Sequence, residues 1–320
     1  MTAATAWERA LDNALDRTLI GYSTVGYRVR RRFWAADPAP NALRGKVAIV
    51  TGANSGLGKA AATGLAALGA RVHMVVRRPD AGRAARADIL ASLPDADLTV
   101  DECDLSSLAA VRRYAEGFDG PLHVLMHNAG VMPAQRTLSA EGHELAFATH
   151  VLGPHLLTTL LRPALTAGAP SRVIWVTSGG MYAHKLPAHD LEYEQEGYRP
   201  AVAYARTKRM QAVLTQCWAE QLRDDGVVVH AVHPGWADTP GVTAGLPKFR
   251  ALTRPLLRTP DQGADTLVWV AAAGPPGEST GRLWHDRAQR PWHYFARTRE
   301  SAAERQSFWD TCQQLSGFRT

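Results

Sequence analysis

The sequence predicts an α/β fold: one domain built on a doubly wound, seven-stranded parallel sheet, preceded by an N-terminal helical extension. Three observations predict it. From Gly45 onward, short apolar runs alternate with segments of helical spacing, the order of β-α-β units joined by right-handed crossovers. The apolar runs are continuous rather than alternating, as in strands covered on both faces. A glycine-rich turn, Thr51-Gly52-Ala53-Asn54-Ser55-Gly56-Leu57-Gly58, sits directly between the first run and the first long helical segment.

The expected strands are residues 47–51 (VAIVT), 72–76 (VHMVV), 98–100, 122–126, 173–177 (VIWVT), 227–232 and a weaker 282–285. Segments 59–68 and 205–220, rich in Ala and Leu, read as helices between them. Residues 44–320 thus form the sheet domain, a Rossmann arrangement. Residues 1–43 stand before it as an amphipathic, basic extension. There Trp7, Leu11, Leu15 and Leu19 recur at every fourth position and suggest one helix. Arg28, Arg30, Arg31 and Arg32 follow, and Asp37-Pro38-Ala39-Pro40 punctuates entry to the sheet. Two readings of this extension stay open: peripheral contact with a membrane or partner, or packing on the domain's own surface.

Composition narrows the class. With 320 residues, 46% of them hydrophobic, the chain can bury a full core. A net charge of +6 suits an anionic ligand. No dense Lys/Arg stripe interleaved with aromatics points to nucleic acid. Cys103, Cys217 and Cys312 are too widely spaced for a metal site or a disulfide framework. No run reaches the roughly 18 apolar residues of a membrane span, and no signal-type segment opens the chain. A soluble, cytoplasmic protein, at most peripheral to a membrane, is expected.

The glycine turn carries the first chemistry. Glycines let the backbone approach a pyrophosphate, and the helix behind offers free N–H groups and a positive dipole end. An acid at the end of the second strand would bind a ribose 2′-hydroxyl; here Arg77-Arg78 follow Val76 instead. A guanidinium fits a 2′-phosphate, so NADP(H) is expected over NAD(H).

The second chemistry lies in Tyr204 and Lys208, four apart in YARTK and so on one helix face. An ammonium beside a phenol favours the phenolate and should lower its pKa. Ser178, at the end of VIWVT, stands where an open sheet places its ligands and would polarise a substrate oxygen.

Together, TGANSGLG, Asp104 in CDLSS, Asn128-Ala129-Gly130, Ser178, YARTK and Pro234-Gly235-Trp236-Ala237-Asp238-Thr239 occur in an order that resembles the short-chain dehydrogenases/reductases. The resemblance spans roughly residues 45–290. It is nearest the retinol-dehydrogenase-like branch, and within it the dehydrogenase/reductase member 12 type, through TSGGM (177–181) and HPGWADTPGV (233–242).

The resemblance implies that Gly52, Asn54, Ser55, Gly56 and Leu57 cradle phosphates, Asp104 and Leu105 border the adenine, and Asn128, Ala129 and Gly130 support the ribose. Pro234, Gly235 and Thr239 would flank the nicotinamide. Tyr204 would be the general acid/base, Lys208 its partner and Ser178 the substrate donor. Dimers or tetramers are common in such a family.

Two departures stand out. His127 replaces an asparagine and reads as a local strand-end hydrogen-bonding residue. His150, in His150-Val151-Leu152-Gly153, stands where the family has an asparagine that holds a relay water. A neutral imidazole can donate and accept, so His150 is expected to sustain the relay.

The expected function is NADP(H)-dependent interconversion of a carbonyl and an alcohol, with a small apolar substrate. The alternative is an NADP(H)-binding scaffold whose catalysis His150 has weakened. Apolar residues near Met181, Tyr182, Trp236 and Leu246 would receive a greasy substrate.

Overall fold

The computed structural model describes residues 6–195, 197–239, 241, 245 and 247–318. Seven parallel strands run in the order β3-β2-β1-β4-β5-β6-β7. They are β1 (Val47–Thr51), β2 (Arg71–Val76), β3 (Leu98–Glu102), β4 (Val124–His127), β5 (Ser171–Val176), β6 (Val227–Val232) and β7 (Arg282–His285). Each falls on one of the apolar runs, with ends shifted by a residue or two.

The sheet has an eighth strand, β8 (Ala288–Arg290), antiparallel to β7. This corrects the seven-stranded, all-parallel expectation. The strand is three residues long and lacks an apolar run, and its hairpin is turned by Asp286 (φ 51°) and Arg287 (φ 56°) rather than by Asn-Gly. Left-handed backbone at a residue with a Cβ costs about 1–2 kcal/mol. Both residues are held by their side chains. Asp286 accepts from Arg258 Nη1 (2.6 Å) and Arg30 Nη1 (2.8 Å), and Arg287 donates to Asp265 (2.8 Å) and to Ala35 O (3.0 Å).

Helices cover both faces, as the continuous strands require. On one side pack α3 (Gly56–Ala67), α4 (Pro79–Ser92) and α8 (Pro260–Ala272), around Val50, Leu65, Met74, Ile89 and Trp269. On the other pack α5 (Leu108–Glu116), α6 (Gly153–Ala167), α7 (Pro200–Gln221) and α9 (Ala302–Leu315), around Ile49, Phe147, Trp175, Met210 and Phe308. Wholly buried side chains of this size stabilise by about 1.5–3 kcal/mol each. α7 matters most for the site, because its second and third turns carry Tyr204 and Lys208.

The chain reverses its direction of sheet growth between β1 and β4. In open α/β sheets, ligands bind at the carboxyl ends of the strands beside such a switch point.

The N-terminal extension is not the single helix its spacing suggests. α1 (Ala6–Asp16) stops before Leu19, which opens a separate 3-10 turn, Leu19–Tyr22; α2 (Thr24–Arg30) follows. The break comes from close packing: a Cβ on Gly21 would lie 2.0 Å from Leu15 O. Asp16 and Arg30 turn inward and are buried, while Trp7 and Leu19 remain about 70% exposed. No helix among the described residues is long and apolar enough to cross a membrane.

Candidate active site

A crevice of about 570 Å³ runs along the carboxyl edge of the sheet, lined by segments that follow each strand from β1 to β6. Every residue expected to hold the cofactor lines it, as do Ser178, Tyr204 and Lys208; His150 does not. Strand order gives the crevice two ends. Arg77, Arg78, Asp104 and Leu105 follow β2 and β3 at one end; Ser178, Pro234, Gly235 and Thr239 follow β5 and β6 at the other.

The glycine turn is held by its own neighbours. Thr51 Oγ1 accepts from Asn128 N (3.0 Å) and Ala129 N (3.0 Å) while donating to Met126 O (3.3 Å). Asn128 Nδ2 donates to Thr51 O at 2.9 Å. Gly52 has φ +67°, and a Cβ there would meet Ala129 Cα at 2.8 Å. A Cβ on Gly58 would lie 2.3 Å from Gly52 O and 2.4 Å from Asn128 Nδ2. The Ser55 side chain does not cap α3, so first-turn N–H groups face the crevice, where an anion would be welcome. This is a cradle that fits a dinucleotide diphosphate. Arg77 and Arg78, exposed, line the crevice just beyond β2, and no acid ends β2. Asp104 caps its own turn, its Oδ1 accepting from Ser106 N at 2.9 Å and Ser106 Oγ at 2.7 Å.

At the other end, Tyr204 is half-buried and Lys208 fully buried. Lys208 Nζ sits 5.3 Å from the Tyr204 ring centroid and donates to Val176 O (2.7 Å) and Gln211 Oε1 (2.9 Å). Burial pulls the ammonium down to about 7 and pushes the phenol up to about 12. The expected lowering of the phenol by the lysine is therefore outweighed by desolvation. Ser178 Oγ accepts from Gly180 N at 3.4 Å and presents its hydroxyl to the crevice.

His150 lies behind the crevice rather than along it. It lies in a π-helical turn, Ala148–Leu152, and both ring nitrogens are engaged away from Lys208. Nε2 accepts from Val131 N (2.8 Å), which leaves the proton on Nδ1, paired with Thr207 Oγ1 (2.7 Å). Burial and the nearby ammonium hold it far below the usual imidazole range, so it stays neutral. Its ring stands edge-on to Tyr204 at 5.5 Å and 90°, and its carbonyl accepts from Gln211 Nε2 at 2.9 Å. The imidazole thus touches the helix that carries Tyr204, and Gln211 bridges the His150 carbonyl to Lys208. His127 is a strand-end residue as expected, pairing with Thr158 Oγ1 at 2.8 Å.

Sequence reasoning missed Gln211, Thr207, Thr51 and Arg258. Gln211 is one turn beyond Lys208 on the same helix face, a spacing that could have revealed it. The others act through contacts distant in sequence. Met181 and Tyr182 belong to the buried core rather than the crevice; Trp236 lines the crevice, and Leu246 lies outside the described residues.

Comparison with known proteins agrees with this geometry. The short chain dehydrogenase family profile matches residues 46–247. Over 299 residues the chain is 36% identical to dehydrogenase/reductase SDR family member 12 of Bos taurus, spanning 92% of this chain and 94% of the relative. It is 34% identical over 282 residues to retinol dehydrogenase 12 of Homo sapiens, spanning 87% and 88% respectively. The RhlG/NADP active-site complex of Pseudomonas aeruginosa superposes with a TM-score of 0.61 at 25% identity, covering 76% of this chain and 95% of that one.

Proposed function

The chain belongs to the short-chain dehydrogenase family, and on that footing we propose that it is an NADP(H)-dependent oxidoreductase interconverting an alcohol and a carbonyl on a small apolar substrate. The observation that carries this reading is the shared crevice: the phenol of Tyr204 and the ammonium of Lys208 open onto the same cleft as the glycine turn.

The nicotinamide ring, when bound, supplies or accepts the hydride. Tyr204 holds the proton for the substrate oxygen. With its phenol at about 12 it stays protonated at neutral pH, which suits donation to a carbonyl. Ser178 offers a second hydrogen bond to that oxygen, and Lys208 supplies charge behind the phenol below a pH of about 7. Met132, Val131 and Trp236 line the cleft and give an apolar wall to the substrate; a relative named as a retinol dehydrogenase supports the same class.

Tyr204→Phe is expected to lower carbonyl reduction by about 10²–10⁴-fold with NADPH affinity within twofold. Full turnover in that variant would end the assignment. For the cofactor, the Arg77-Arg78 pair and the absence of an acid after β2 support NADP(H), as does the NADP in the Pseudomonas complex. Arg77→Glu is expected to shift the NADPH/NADH ratio of kcat/KM by about 10–100-fold toward NADH, the worth of one charge-assisted hydrogen bond. An unchanged ratio rejects the 2′-phosphate reading.

A second reading, a dinucleotide-binding scaffold with weak catalysis, is favoured by one observation: both ring nitrogens of His150 are spent on Val131 and Thr207. NADPH binding without turnover across a broad carbonyl and alcohol panel would select it.

A further inference from the structure

The loop after β6 is built unlike the glycine turn. Pro234, Gly235, Trp236 and Thr239 line the Tyr204 end of the crevice; the loop is held on one side by Arg258 and Arg250 and on the other by Tyr22 of the N-terminal extension. Trp236 N donates to Tyr22 O at 2.8 Å. The Tyr22 ring stacks on His233, with centroids 4.9 Å apart and planes at 29°, and lies 6.3 Å from Trp236. His233 stacks in turn on His285 at 4.7 Å.

Behind the stack is a buried charge network. Arg258 donates to Pro234 O (3.3 Å), Ser23 O (3.2 Å), Gly21 O (3.0 Å) and both oxygens of Asp286 (2.6 and 2.8 Å). Its guanidinium lies against Gly235, where a Cβ would meet it at 2.5 Å. Arg30 closes the network from the extension, donating to Asp12 Oδ1 (2.7 Å), Gly21 O (2.9 Å) and Asp286 Oδ2 (2.8 Å). Arg290 of β8 grips the same Asp12 through both terminal nitrogens, at 2.7 and 2.8 Å. The side chains of Arg30, Arg258 and Asp286 are each 1% exposed.

We infer that residues 12–30 are a positioning element of the active site: they fix the 234–239 loop, and through it the seating of the nicotinamide half of the cofactor. The role rests on the reading of the crevice as a dinucleotide site. Tyr22 and Arg30 are the positioning residues. Neither lines the crevice, so they act on the ligand only through the loop. The adenine end, served by β2 and β3, lies on the far side of the glycine turn.

The test separates the two ends. Tyr22→Leu removes the stack and keeps the backbone acceptor; Arg30→Met removes the charge bridge; Tyr22→Phe keeps the ring. Three readouts are taken on the full chain: amide hydrogen exchange over 234–239 and over 51–58, affinity for NADPH, and affinity for adenosine 2′,5′-bisphosphate, which carries the adenine end alone. In Tyr22→Leu, exchange over 234–239 should rise about tenfold, with residues 51–58 unchanged. NADPH affinity should fall about tenfold and bisphosphate affinity should stay within twofold. Tyr22→Phe should behave as the unaltered chain, and Arg30→Met should exceed Tyr22→Leu; if Arg30→Met does not fold, Tyr22→Leu decides. Unchanged exchange over the loop, or equal weakening of both compounds, overturns the inference. If the unaltered chain binds neither compound, the oxidoreductase reading and the cofactor-seating role fall together, while the exchange result still decides whether residues 12–30 order the loop.

Discussion

The two walls of the crevice achieve the same end by opposite means. The glycine turn is fixed by residues within reach of its own strand and the next: Thr51, Asn128, Ala129 and a missing Cβ at Gly58. The 234–239 loop is fixed by Tyr22, more than two hundred residues away in sequence, and by Arg258, about twenty residues on, whose buried charge network Arg30 completes. The first wall depends on the close fit of small residues, the second on compensated buried charge. The difference teaches where each is vulnerable. A glycine turn fails when something is added; a charge network fails when one member is removed.

Arg258→Met should produce the largest effect. Removing one partner of a buried pair leaves the other charge uncompensated and costs about 3–5 kcal/mol. Asp286 would retain Arg30 alone among its two arginines. Urea unfolding measures this, and a loss under about 1 kcal/mol would show that the second wall does not depend on the network.

Gly58→Ala comes next. The added methyl would sit 2.3 Å from Gly52 O, and overpacking of this kind costs about 1–3 kcal/mol. Because the clash is at the phosphate cradle, affinity for adenosine 2′,5′-bisphosphate should fall together with that for NADPH, unlike in the Tyr22 variant. Calorimetry with both compounds checks it; a selective loss of NADPH would erase the contrast between the walls.

Lys208→Met leaves the wall contrast untouched, and the size of its effect depends on pH. The folded chain holds this ammonium near 7, against 10.5 for an ordinary lysine. Its burial cost is therefore felt in full below pH 7. It fades as pH rises toward 10.5, where the unfolded chain also loses its proton. The Met variant should gain stability relative to the parent by on the order of a few kcal/mol at pH 6, and that advantage should shrink steadily by pH 10. Thermal unfolding at several pH values reads the slope. A difference independent of pH would mean that Lys208 keeps an ordinary pKa.

Much of the sheet was legible because burial on both faces leaves continuous apolar runs, and 47–51 and 227–232 read to the residue. Most of the crevice was legible for a related reason: backbone approach demands glycine, and a proton pair on one helix face demands a spacing of four. β8 was not, since its turn residues Asp286 and Arg287 are held by distant partners, Arg30, Arg258 and Asp265, rather than by an Asn-Gly pair. The first helix was overextended to Leu19 because a fourfold repeat of apolar residues says nothing of Gly21 packing on Leu15 O. Of the arginines at 28–32, Arg30 is fully buried while Arg28, Arg31 and Arg32 are exposed. Identical side chains gave no local sign of which would turn inward.

Gln211 bears on where the charge of Lys208 sits. On its inner side Lys208 donates to a peptide carbonyl and a carboxamide oxygen, two acceptors that hold the ammonium at one place behind the Tyr204 ring. Whatever field the cleft receives from that cation is therefore fixed by the backbone end of a strand and by a neighbour one helical turn away.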